Sequence, residues 1–155
     1  MRKFLAAVAA LCLFSVVNAA QIRPCDSGAW YDPDYSGNGI TIQTNADASL
    51  IWVTWYTYDN AGNPLWLTTS ATPEVSGDLY TFDLGYTRGA INGAQPSLVQ
   101  DVGSLSLTPN DDGTIAMSWA IDPGTAFCYG FSPVSPLCGG SRTLVNILRP
   151  LQCAD

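Results

Sequence analysis

The sequence contains no histidine, and its only lysine is Lys3, so chemistry has to come from carboxylates, hydroxyls and aromatic rings. That excludes serine-histidine-acid and cysteine-histidine catalysis, imidazole general bases and histidine-bound metals. What survives is a pair of acids flanking a glycosidic bond, with Asp32 and Asp34, or Asp59 and Asp83, as the candidate pairs. Most of the acids stand in turn sequences, where an aspartate bonds back to its own backbone. The expectation is therefore a protein that is not an enzyme and needs no cofactor, with a carboxylate-based glycoside hydrolase ranked third among the functional readings.

Two further groups of residues are suited to binding. Asp32-Pro33-Asp34-Tyr35-Ser36-Gly37 places oxygen donors at alternate positions before a glycine, like the start of a calcium loop, which makes Asp32, Asp34 and Ser36 the candidate metal ligands. The closing position carries Gln43 in place of a bidentate glutamate, and no helical pattern flanks the segment, so a plain turn is the simpler reading. The aromatic residues are the other group, because indole and phenol rings stack on sugars and on flat apolar ligands. Trp30, Tyr31, Trp52, Trp55 and Trp66 are the candidate ligand-binding residues. Trp52 and Trp55 lie three apart in an extended pattern, hence on opposite faces of one strand, so at most one of them points into a core.

The elements that must position these residues are strands. Residues 50–58 are β-branched, aromatic or leucine throughout, so both faces are expected to be covered. Residues 64–71 form the second arm of that central hairpin across a turn at Asp59-Asn60-Ala61-Gly62-Asn63. Strands are also expected at 28–31, 38–44, 78–87, 102–108, 114–121 and 142–149, while 72–77 breaks the pattern and 89–97 reads as a loop. In 102–108, Gly103, Leu105 and Leu107 share one face and Val102, Ser104, Ser106 and Thr108 the other. The pattern predicts an all-β fold, an antiparallel up-and-down meander of seven or eight strands in a closed or nearly closed barrel; a β-sandwich is the alternative.

Arg2 and Lys3, the apolar run that follows and Val17-Asn18-Ala19 fit a signal peptide cleaved after Ala19, leaving a single domain over 20–155 in the periplasm or outside the cell. No second apolar stretch is long enough to span a bilayer. Without the leader's two basic residues, four arginines face thirteen acids, a net charge of −9 that repels nucleic acid and anionic lipid. Four cysteines remain, and an even count in an exported chain predicts disulfides, here Cys25 with Cys153 and Cys128 with Cys138.

Gly28-Ala29-Trp30-Tyr31-Asp32-Pro33, Ser36-Gly37-Asn38-Gly39-Ile40, Trp55-Tyr56-Thr57-Tyr58-Asp59, Gly62-Asn63-Pro64-Leu65-Trp66-Leu67 and Val102-Gly103-Ser104-Leu105-Ser106-Leu107 together resemble an uncharacterised bacterial secreted β-rich repeat family over about residues 28–149. Asp32 and Asp34 depart from that family's pattern. The resemblance implies a Gram-negative export context and supplies no functional residues. The reading that follows is an exported, non-catalytic binding or interaction module for a carbohydrate or small apolar ligand, with partners unspecified. The alternative is a protease inhibitor that uses residues 21–24 or the loop between Cys128 and Cys138 as a wedge.

Overall fold

The computed structural model of the chain describes residues 20–58, 62–88, 97–125, 128 and 138–147. The extended segments form nine strands: β1 (Gly28–Tyr31), β2 (Gly39–Thr44), β3 (Ile51–Tyr58), β4 (Pro64–Thr69), β5 (Glu74–Ser76), β6 (Leu79–Arg88), β7 (Ser97–Pro109), β8 (Ile115–Ile121) and β9 (Gly139–Asn146). Neighbours pair antiparallel in the order β4-β3-β2-β1-β9-β8-β7-β6, and β4 pairs back onto β6. The result is a closed eight-stranded up-and-down barrel, which leaves no long sheet edge exposed. β5 is a ninth, extra strand that continues along the edge of β6 beyond β4.

An eight-stranded barrel is just wide enough for side chains to fill its interior. Ile40, Ile42, Val53, Leu67, Phe82, Leu84, Leu105, Leu107, Met117 and Leu144 are all fully buried there. Trp55 and Trp119 meet among them, with ring centroids 5.0 Å apart. One end is closed by the segment before β1: Ile22 is buried and donates its backbone N–H to the Tyr80 hydroxyl, and Trp30 Nε1 donates to the Asp26 carbonyl oxygen over a 3-10 turn at Pro24–Asp26. The opposite end, called the upper end below, is where β1, β3, β6 and β8 finish and β2, β4, β7 and β9 begin, and it carries the loop 32–38.

At that upper end the inward-facing Asp32 and Arg142 form an ion pair of 2.7 Å, their side chains 8% and 14% exposed. The Arg142 guanidinium also lies 3.7 Å from the centre of the Tyr35 ring, so the 32–38 loop folds over the pair. Burial works to raise the Asp32 carboxyl, but hydrogen bonds from Arg142 and from the Asp34 N–H, with the guanidinium charge, outweigh it and hold the group below its ordinary value.

Several boundaries differ from those the sequence pattern predicts. β5 occupies part of the 72–77 break; all three of its residues are exposed, so it has no buried face to produce alternation. β7 begins at Ser97, because its first residues pair with β6 alone before β8 joins at Gly103. Val102 is fully buried alongside Leu105 and Leu107 and does not share the outer face with Ser104. The cause is a bulge: the register on β6 passes from Leu84↔Gly103 to Gly85↔Asp101, and Gly103 sits at φ +144°, where a Cβ would collide with the Ala120 carbonyl. β9 starts at Gly139 because Gly140 lies opposite Trp119, and a Cβ there would come within 2.8 Å of the indole.

The Cys128–Cys138 disulfide is present, with Cα atoms 5.5 Å apart, and Cys128 packs into the core. Cys25 is also disulfide-bonded. Its expected partner Cys153, the leader 1–19, Asp59 and residues 129–137 of the expected wedge loop lie outside the described residues. Among the described residues no helix is long and apolar enough to cross a membrane.

Candidate functional site

The outer face of β1 to β4 carries the residues best placed to meet a ligand. Along β3, Ile51, Val53, Trp55 and Thr57 point into the barrel, which sends Trp52, Thr54, Tyr56 and Tyr58 outward. Along β4, Leu65, Leu67 and Thr69 point inward and Trp66 outward. The expectation that 50–58 is covered on both faces is therefore corrected. Its outer face is open, and the run of aromatic and β-branched residues there reflects a bare surface in place of a second packed layer.

Register then assembles a row. Tyr31 lies opposite Gly39, Gly39 opposite Tyr56, and Tyr56 opposite Trp66, so four strands contribute one line across the sheet. Tyr56 and Trp66 meet edge to face, centroids 5.7 Å apart. The Thr41 hydroxyl donates to the Tyr56 hydroxyl at 3.2 Å, which fixes the phenol from its other side. Trp66 is 64% exposed and Tyr31 and Tyr56 are exposed as well. Gly39 is dictated by the backbone, since a Cβ there would sit 2.5 Å from the Trp30 carbonyl oxygen. Its missing side chain leaves a gap between Tyr31 and Tyr56, an open cleft of about 620 Å³ whose far wall is Pro33, Ser36 and Asn38. Tyr58 braces that wall: its hydroxyl lies 2.8 Å from where a Cβ on Gly37 would be, and Gly37 has φ +82°.

Further down the same face, beyond the opposed pair Thr54 and Thr68, Trp52 stands 43% exposed beside a smaller cleft of about 350 Å³. Thr68, Thr69, Ser70, Asp83, Gly85 and Asp101 complete its lining. Gly85 is opposite Asp101, so the floor between the two carboxylates carries no side chain.

Of the aromatic residues singled out in the sequence, Tyr31, Trp52 and Trp66 are on this surface, whereas Trp30 and Trp55 are each 3% exposed and pack in the core. Asp32 is not free to hold a metal: Oδ1 accepts the Asp34 N–H at 2.8 Å and Oδ2 accepts from Arg142. It is a turn former and half of an ion pair, and among the described residues no cluster of three or more histidines, cysteines or acids is arranged to bind a metal ion. Asp32 and Asp34 belong to one turn and both line a cleft at the upper end, but the Asp32 carboxylate is held there by Arg142 and the Asp34 N–H. Asp83 does share a cleft with an acid, but that acid is Asp101, which the sequence pattern gives no reason to pair with it because the bulge at Gly103 hides the register. Residues 21–24 are held by the buried Ile22 and the Arg23 N–H to Asp26 bond of 2.7 Å, so they do not form a free tail. Comparison of the chain with family models, with curated proteins and with solved structures gives no match.

Proposed function

We propose that this chain is an exported, non-catalytic binding module that takes carbohydrate on the outer face of β1 to β4. The observation that carries the reading is the in-register row Tyr31, Tyr56 and Trp66, three exposed rings that the barrel core does not use. An exposed tryptophan leaves on the order of 2 kcal/mol or more of apolar burial unrealised, and several grouped on one face mark a surface kept for a partner.

A sugar suits this surface because a pyranose ring offers a C–H face for stacking and hydroxyls around its rim. The hydroxyls of Thr41, Ser36 and Tyr31 and the Asn38 amide stand at or beside the cleft to pair with them. A filled interior supports an exterior site over a ligand held inside the barrel. The acidic balance works against polyanions. Export is supported by the Cys128–Cys138 bridge and by the leader-like first nineteen residues. Against catalysis stands the employment of the Asp32 carboxylate in an ion pair with Arg142.

The test is a fluorescence titration of the purified chain with a panel of soluble polysaccharides. The reading expects a saturable change in tryptophan emission with at least one neutral glycan, lost in Trp66→Ala. Flat titrations across the panel would remove it.

A further inference from the structure

The two clefts on the outer face lie along one strand. Tyr56 and Trp52 are four residues apart on β3 and point the same way, which separates them by about 13 Å at the rise of a β-strand. Between them the face offers no bulky side chain, only the row of hydroxyls Thr41, Thr54 and Thr68. At the lower end Trp52 supplies a second ring, and Asp83, Asp101 and Ser70 supply acceptors around a bare glycine floor. Among the described residues neither carboxylate is engaged by another side chain, and no arginine lines the cleft.

We propose that these are the two ends of a single groove for a linear, uncharged polysaccharide. One sugar stacks at Tyr56 and Trp66. Another, further along the same chain, stacks on Trp52 and gives hydroxyl hydrogen bonds to Asp83 and Asp101. This rests on the reading that the outer face binds carbohydrate, and adds to it the length, shape and charge of the ligand. The spacing calls for a chain: one ring cannot touch both platforms, whereas a run of sugars lying along β3 can. The hydroxyl row in the middle suits the rims of the sugars that bridge them. The two carboxylates set the charge, since they accept from neutral hydroxyls through strong charge-assisted bonds and repel uronic acids or sulfated sugars.

The experiment measures affinity for a ladder of neutral oligosaccharides from disaccharide to hexasaccharide, using β-1,4-linked glucose and N-acetylglucosamine series, with polygalacturonate as the anionic control. The intact chain should bind longer members more tightly, with a step once the ligand spans both rings, and should ignore polygalacturonate. Trp52→Ala should weaken the hexasaccharide roughly tenfold, the scale of one lost stacking contact, and leave the shortest binder unchanged. Asp83→Asn with Asp101→Asn should produce a loss of the same sense, again only for long ligands. These are exposed positions, so a circular dichroism spectrum matching the parent confirms that the fold is retained. If Trp66→Ala abolishes binding while affinity is independent of chain length and indifferent to Trp52, the single groove is wrong and the carbohydrate reading stands. If no member of either series binds, both fall.

Discussion

Charge removal at Asp32 tests how the upper end of the barrel is held. Asp32→Asn keeps an oxygen to accept the Asp34 N–H, so the turn survives, but it turns an amide N–H₂ group toward a guanidinium that itself can only donate. Arg142 would then keep its charge at 14% exposure with its counter-charge gone and its Nε, already buried with no partner among the described residues, still unsatisfied. Breaking one side of a buried pair costs about 3–5 kcal/mol, and the residual exposure and the Tyr35 ring place this case near about 3 kcal/mol. For a domain of this size that lowers the melting temperature by about 10 °C. Arg142→Met strands the carboxylate instead and should cost a similar amount. The double variant removes both charges and should recover most of the loss, because a buried pair replaced whole is close to neutral. Urea unfolding of the four proteins at pH 7 gives the coupling energy. Single variants that each cost under about 1 kcal/mol would mean the pair behaves as a surface ion pair, and the reasoning from burial would be refuted.

Other predictions follow from the same contacts. Because the folded Asp32 carboxyl is held below its ordinary value, its contribution is fully present above about pH 4, the unfolded value, and is lost as pH falls through the lower folded one; urea midpoints should drop across that acid window in the parent and much less in Asp32→Asn. Gly103→Ala meets both a φ of +144° and the Ala120 carbonyl, and should cost at least about 2 kcal/mol, whereas Gly62→Ala, at φ +81° with open space around it, should cost about 1 kcal/mol; equal losses in thermal melts would contradict the bulge geometry. Replacing Cys128 and Cys138 with alanine opens a loop of sequence separation 10 and should cost about 3 kcal/mol in denaturant titrations, with barrel circular dichroism retained.

How far the sequence reached is clearest strand by strand. The barrel and its strand order were legible because β2, β6 and β8 alternate and turn residues separate neighbouring strands. The opposition of Trp52 and Trp55 followed from their spacing alone, since strand geometry leaves no other choice. Which of the two lies outside was not legible, because an exposed aromatic row and a covered one have the same composition. Asp101 escaped notice for a different reason. The single extra residue at Val102 shifts everything before it by one position, and a bulge leaves only a glycine as its sign. Asp32 drew attention as a calcium ligand because its partner, Arg142, is 110 positions away and no local pattern records it.

The central claim is that Tyr31, Tyr56 and Trp66 face solvent in order to hold a sugar. Isothermal titration of the parent chain and of Trp66→Ala with a neutral oligosaccharide measures it most directly, with Trp55→Phe as a core control. The account predicts saturable binding by the parent, a loss of roughly tenfold or more in Trp66→Ala, and unchanged affinity in Trp55→Phe. Equal affinity of the parent and Trp66→Ala would contradict it.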